Sequence, residues 1–235
     1  MTSPIPSTAK LAEALGISES EAREMRKRIE WCKAGSPFVV EHPVAVLCAA
    51  PKSVYRGMAG VEVYDRSRDA RTFPGGMPVV THPPCRSWSA KCRHQAKPEP
   101  GERELGVWCA EQVKQWGGIL EQPAHSLLWE AAGLPRPGIT SRCDSWSMEI
   151  WQAWFGYPMK KATWLYFSKI NAADMVAVPY CLHARGGDRR AEQRMSKQQR
   201  SATPRAFAQW LVAVARRAGM PFVVEHAGRA EKEER

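Results

Sequence analysis

Pro78-Val79-Val80-Thr81-His82-Pro83-Pro84-Cys85-Arg86-Ser87-Trp88 is the stretch whose reading decides the fold. A short apolar run feeds into two prolines. Proline fixes φ and donates no backbone hydrogen bond, so a strand that reaches it stops there. The stretch therefore reads as a buried strand over 79–80, followed by a stiff loop that presents the Cys85 thiol. Ile119-Leu120-Glu121 is a second strand, and it too runs into a loop, at Gln122-Pro123. Between the two, residues 103–116 carry a helical pattern with Leu105, Trp108, Cys109, Val113 and Trp116 on one face, closed by Gly117-Gly118. Strand, helix and strand at this spacing make a right-handed βαβ unit. Parallel strands place Cys85 and Glu121 at the same end of a sheet, which is where open α/β sheets bind ligands.

Working outward, residues 44–48 and 61–64 read as further short strands, and 164–167, β-branched and aromatic, as another. Residues 131–150, rich in Pro, Gly and Ser, read as loop. The last helix has Thr203 as its N-cap, Pro204 at the first helical position and an apolar stripe of Phe207, Trp210, Leu211 and Val214. Gly219 ends it, with Arg216 and Arg217 in the last turn. The expectation is an α/β domain over 36–235 with a Rossmann-like, mostly parallel sheet and flanking helices. Residues 1–35 form a separate N-terminal helical hairpin in this reading. Leu11 and Leu15 share a face, Gly16 breaks it, and Ser18 with Glu21 makes a capping box for a second helix. The opening Leu-Ala-Glu-Ala-Leu-Gly-Ile-Ser looks like the start of a helix-turn-helix. Pro-Phe-Val-Val-Glu-His occurs twice, at 37–42 and 221–226, and both copies read as strands.

Lys and Arg number 34 against 24 Asp and Glu, a formal net charge of +10. That excess reads as a polyanionic partner, nucleic acid first, or as a basic surface kept for solubility. The segment 185–205 concentrates Arg185, Arg189, Arg190, Arg194, Lys197, Arg200 and Arg205, either as a solvated run or as a phosphate clamp. The 7 cysteines are odd in number and show no framework spacing. With a polar opening and no apolar run near the roughly 18 residues of a membrane span, reduced thiols, a cytoplasmic location and no membrane partner are expected. His82, Cys85, Cys92 and His94 raise zinc as an alternative, but paired Cys-x2-Cys knuckles are missing and no metal is expected.

A thiol facing a carboxyl group suits one chemistry well. The C5 carbon of cytosine is a poor nucleophile until a thiolate adds to C6 and converts the ring to an enamine. A carboxyl group at N3 assists that addition. Arg86, next to Cys85, is expected to favour the thiolate.

These motifs resemble those of the DNA cytosine-5 methyltransferases. Pro84-Cys85 looks like the family's nucleophile motif, and Glu121-Gln122-Pro123 is similar to its Glu-Asn-Val or Glu-Asn-Pro. Phe155-Gly156-Tyr157-Pro158-Met159-Lys160-Lys161-Ala162-Thr163-Trp164 is similar to Tyr-Gly-Val-Pro-Gln-x-Arg-x-Arg, with Lys161 and Thr163 in the basic positions. Arg200-Ser201-Ala202-Thr203-Pro204-Arg205 looks like Arg-x-Leu-Thr-Pro-Arg. All four stand in the family's order over 79–211. The resemblance is closest to small methyltransferase-like proteins of bacterial viruses, which also show His-Pro-Pro-Cys and a Phe-Gly-x-x-x-Lys-Ala-Thr stretch, here one residue longer at Phe155-Gly156-Tyr157-Pro158-Met159-Lys160-Lys161-Ala162-Thr163.

The resemblance implies methyl transfer from S-adenosylmethionine to C5 of a flipped cytosine. Cys85, Glu121 and Lys161 would be catalytic. His82, Pro84, Ser87, Trp88, Pro123, His125 and Ser126 would shape the base pocket, with Trp88 and Trp129 stacking on the base or filling its place. Arg86, Lys160, Arg194, Arg200 and Arg205 would hold DNA, and Cys48, Glu62 and Asp65 would meet the cofactor. The cofactor loop departs from the family's Phe-x-Gly-x-Gly, since Leu47-Cys48-Ala49-Ala50-Pro51 has neither glycine. The Asn-rich closing motif is absent, and 168–199 leaves no room for a large target-recognition domain. The alternative is a non-catalytic DNA-binding protein with a degenerate fold of this kind. Thymidylate synthases also place a nucleophile after Pro, but the rest of their pattern is not here.

Overall fold

The computed structural model describes residues 43–90, 96–142, 145–178 and 202–218, with isolated positions at 7–10, 19, 23, 194–196 and 199. The N-terminal hairpin, both copies of the hexapeptide, Cys92, His94, Arg200, Gly219 and most of 185–205 lie outside the described residues.

Seven strands form one sheet: β1 (Val44–Ala49), β2 (Val61–Asp65), β3 (Val79–Thr81), β4 (Gly118–Pro123), β5 (Thr140–Arg142), β6 (Ser145–Trp151) and β7 (Ala162–Ser168). Their order across the sheet is β2-β1-β3-β4-β7-β6-β5. β2, β1, β3 and β4 are mutually parallel, with Ala45 opposite Val79 and Val79 opposite Gly118. β7 runs antiparallel to both β4 and β6, and β5 antiparallel to β6. All but two strands therefore point the same way. The helices are α1 (Glu102–Trp116), α2 (Leu128–Ala131) and α3 (Arg205–Ala215). This is a mixed α/β sheet flanked by helices.

The period-2 alternation of a strand sorts each residue to one face. Val44, Val46, Val80, Ile119 and Phe167 pack with Phe207, Trp210, Leu211 and Val214 of α3. Ala45, Leu47, Val79, Leu120 and Tyr166 pack with Cys109, Ala110 and Val113 of α1. Both faces are covered, so these strands read as continuous apolar runs. Each fully buried Leu, Val or Phe here contributes about 1.5–3 kcal/mol relative to exposure.

The expected βαβ unit is β3-α1-β4. Gly117, with φ 81°, caps α1 and donates to the Val113 carbonyl. Gly118 has φ 120°, and a Cβ there would sit 2.0 Å from the Val79 carbonyl oxygen, so only glycine lets β4 start against β3. Glu102 and Glu104 lie in the first turn of α1, favourable to its dipole.

Two expectations change. Residues 131–150 hold β5 and most of β6 rather than loop alone. The pattern Trp146, Met148, Ile150 is a strand's alternation, and these side chains join the α3-side core. At α3 the N-cap position is Pro204, without a side-chain capping bond, and Thr203 stands outside it. No helix among the described residues is long and apolar enough to cross a membrane.

Candidate functional site

The chain leaves β1 toward β2 on one side and returns to β3 on the other. That reversal makes the carboxyl ends of β1 and β3 a topological switch point, the place where open α/β sheets bind ligands. The loop after β3 is pinned there at several points. His82 N–H donates to the Leu47 carbonyl at 3.0 Å. Gln122 Nε2 of β4 donates to the Pro83 carbonyl. Leu127 N–H donates to the Trp88 carbonyl at 2.9 Å, lacing the loop after β4 to the loop after β3. Ser126 Oγ holds Gln122 Oε1 at 3.3 Å. Cys85 then opens the 3₁₀ turn Arg86–Trp88 and is exposed.

Glu121 points to the same face as Ile119, and His82 to the same face as Val80. The two meet: His82 Nδ1 lies 3.0 Å from Glu121 Oε2. His82 Nε2 lies 2.8 Å from the Tyr55 hydroxyl. On the other side Gln152 Nε2 donates to Glu121 Oε1 at 3.2 Å and to Thr163 Oγ1 at 3.1 Å. Tyr55 and Gln152 are each 1% exposed, and the side chains of His82 and Glu121 are both 12% exposed. The carboxylate is thus held from two sides and remains reachable.

Burial alone would raise the Glu121 pKa. The His82 hydrogen bond and charge, the Lys161 charge and the Gln152 hydrogen bond outweigh it, and the carboxyl sits below its ordinary value. Surrounding protein pushes the Cys85 thiol up, and the charge of Glu121 adds to this, against weaker pulls from Lys161 and Arg86. Cys85, Glu121 and Lys161 therefore share one electrostatic neighbourhood. The expected thiolate beside Arg86 is corrected: Arg86 is spent on Glu102 and Glu99, and the resting sulfur is a thiol.

Other expected site residues fall on either side of this picture. Pro84 is half-buried in the loop, Pro123 is exposed at the end of β4, and Ser126 is a buried brace. His125 is exposed, in the left-handed region with φ 64°, its ring 4.9 Å from that of Trp164. Lys161 has φ 29° and its Nζ lies 5.7 Å from the Tyr157 ring centre, while the Nζ of exposed Lys160 lies 5.5 Å from that of Trp151. Arg194 and Arg205 are exposed.

Trp88 and Trp129 are corrected from stacking residues to core. Trp88 is 1% exposed against Gly106, with the Arg103 guanidinium 4.8 Å from its ring centre. Trp129 is 2% exposed and its indole N–H donates to Ser147 Oγ at 3.0 Å. Neither presents a face to a base. Ser87 is buried, with its hydroxyl unpartnered.

The expected cofactor residues do not assemble. Glu62 pairs with Ala45, toward the far end of the sheet, and accepts from Tyr64 and Arg68. Asp65 does end β2 beside Ala49. Its Oδ1 already accepts from Ser67 N–H at 2.9 Å, Ser67 Oγ at 2.6 Å and Arg68 N–H at 3.2 Å, and Oδ2 is held by Arg56. These bonds, Ser67's first, hold its pKa down to about 2. Cys48, with φ 59°, turns its sulfur to within 3.6 Å of Cys109 Sγ on α1. Among the described residues, no group of three or more His, Cys, Asp and Glu is placed to hold a metal ion.

Tyr55 and Gln152 were not foreseen. Tyr55 sits in a turn-rich segment without periodicity, and Gln152 follows the unforeseen β6. No protein-family model, curated protein or solved structure matches the chain.

Proposed function

We propose that this protein modifies DNA at cytosine C5, with Cys85 adding to C6 of a base turned out of the duplex. The observation that carries the reading is that Cys85 follows β3 and Glu121 lies near the end of β4, its parallel neighbour, with His82 of the Cys85 loop 3.0 Å from Glu121 Oε2. These strand ends belong to the parallel half-sheet β2-β1-β3-β4, which we read as Rossmann-like, where ligands bind beyond the carboxyl ends of the strands.

The addition balances without an outside proton. Glu121, ionised at rest, takes the proton of the Cys85 thiol. The sulfur's electron pair forms a bond to C6 as the C5=C6 π pair shifts to C4=C5 and the C4=N3 pair moves to N3. Glu121 returns the proton to N3. The product is an enamine, nucleophilic at C5, with the protein's net charge unchanged. Lys161 stabilises the ionised forms of both groups. Exposed Lys160, Arg194 and Arg205 supply cations for the DNA backbone, which makes binding salt-sensitive.

The resemblance names S-adenosylmethionine as the donor of a methyl group to C5. Asp65's spent oxygens, Glu62 at the far end and a loop without glycine do not fit that donor as expected. The alternative, a DNA-binding protein without catalysis, draws on this same misfit.

The test uses DNA carrying 2-pyrimidinone, whose C6 is more electrophilic than that of cytosine and which reports addition alone. Intact-mass measurement should find a covalent protein–DNA adduct with the natural protein and none with Cys85→Ala. No adduct with either, or one that survives Cys85→Ala, refutes the proposal.

A further inference from the structure

We infer that Tyr55 and His82 are a positioning dyad for Glu121, fixing which of its oxygens is held and so placing the carboxylate to accept the thiol proton. The inference rests on the addition chemistry proposed above and assigns that site two residues outside the resemblance's catalytic set.

An ionised carboxylate can only accept, so His82 Nδ1 carries the proton of the 3.0 Å contact with Glu121. Nε2 lies 2.8 Å from the Tyr55 hydroxyl, which can donate to it when the ring carries one proton and accept from it when the ring carries two, so Tyr55 holds the ring in either state. Burial, with the nearby charge of Glu121, pushes the Tyr55 pKa well up, so the phenol keeps its proton and can donate it. The same reasoning orients Gln152, whose Nε2 must face Glu121 Oε1. Each carboxylate oxygen is gripped once and keeps lone-pair capacity for the thiol or the base.

The placement favours function over packing. Tyr55 lies in the apolar core on the α3 side, where a phenylalanine would need no partner for a hydroxyl. His82 directly precedes Pro83-Pro84-Cys85, so the group that orients Glu121 and the nucleophile share one stiff segment. The charged or titratable groups around Glu121 are His82, Lys161, Cys85 and Tyr55, and Gln152 is its neutral partner.

The decisive experiment follows adduct formation with 2-pyrimidinone DNA from pH 5 to 9. Losing the His82 partner leaves burial less opposed, so the Glu121 pKa rises and the acidic limb moves to higher pH. His82→Ala should slow addition near pH 6 on the order of a hundredfold, the scale of a displaced acid–base group. His82→Asn can put an amide N–H in the place of Nδ1–H and should recover most of the neutral-pH rate. Tyr55→Phe should shift the limb the same way by less. In parallel, carboxyl-carbon NMR of the free protein, with Glu121 assigned through Glu121→Gln, should show Glu121 titrating at higher pH in His82→Ala. Superimposable pH profiles and an unmoved Glu121 titration overturn the dyad. A wild type that forms no adduct removes the proposed reaction, while the NMR titration still decides whether the dyad controls Glu121.

Discussion

At the ends of β3 and β4, Cys85 is exposed, and Glu121 is held by His82 and Gln152 with its side chain still 12% exposed. At the ends of β1 and β2, the residues expected to meet a cofactor are already engaged. Asp65 is tied to Ser67, Arg68 and Arg56, and the Cys48 sulfur rests against Cys109. The two halves of one sheet edge differ in what their polar groups still have to give. A reactive site needs groups held in place but not used up, and only the β3–β4 half meets that condition. The difference separates the proposed addition to a base, whose groups are held but not used up, from the proposed delivery of a one-carbon group, whose expected residues are already engaged.

The largest effect that tests the reactive half is loss of the nucleophile. Cys85→Ala should reduce adduct formation by at least about a thousandfold, in keeping with removal of a nucleophile elsewhere. Thermal unfolding should barely move, because residue 85 is exposed. A large fall in melting temperature instead would recast Cys85 as a structural thiol and break the comparison.

Trp88→Ala sharpens the boundary between site and core. With the ring buried over Gly106, truncation should destabilise folding by about 3–5 kcal/mol, measured by denaturant unfolding. A stacking residue at a pocket mouth would instead show little stability loss and weaker DNA binding. Glu121→Gln comes next, with addition slowed about 10²- to 10³-fold. Its stability effect depends on pH. The folded carboxyl sits below its ordinary value, so its contribution is present above the unfolded pKa, about 4.3 for Glu. That contribution is lost as pH falls through the lower folded value. Wild type and Glu121→Gln should therefore converge in stability under acid.

Much of this was legible in the sequence for a physical reason. The strands around Cys85 and Glu121 are covered on both faces and α1 buries one side against them, so their apolar patterns and glycine or proline stops carry strong local signals. β5 and β6 were hidden because the Pro- and Gly-rich lead-in at 134–138 dominated the reading of 131–150, although Trp146, Met148 and Ile150 alternate. Cys85 and Glu121 lie on strand ends, which motif spacing can place. Tyr55 and Gln152 reach the site from a turn and from the 3₁₀ segment Gln152–Phe155, where only tertiary packing determines direction. The tryptophans misled for a related reason: residue type gives size and stacking ability, while burial decides whether a face is free.

The smallest expected effect addresses the closed half. Arg56 is 52% exposed and Asp65 3%, so their ion pair is half in water and is worth at most about 1 kcal/mol. Arg56→Ala should scarcely change stability. It would release Asp65 Oδ2 while Ser67 and Arg68 keep Oδ1. The carboxyl's depressed pKa, about 2, keeps it ionised throughout pH 5–8, so any change there reflects access and not charge. Calorimetric titration with S-adenosylmethionine should give weak or no binding to the natural protein, and tighter binding to Arg56→Ala where the guanidinium is what keeps Asp65 from the cofactor. Firm binding to the natural protein, unchanged in Arg56→Ala, would show that the β1–β2 half admits a donor by another route. The contrast between the two halves would then lie in their resting contacts alone and not in what they can bind.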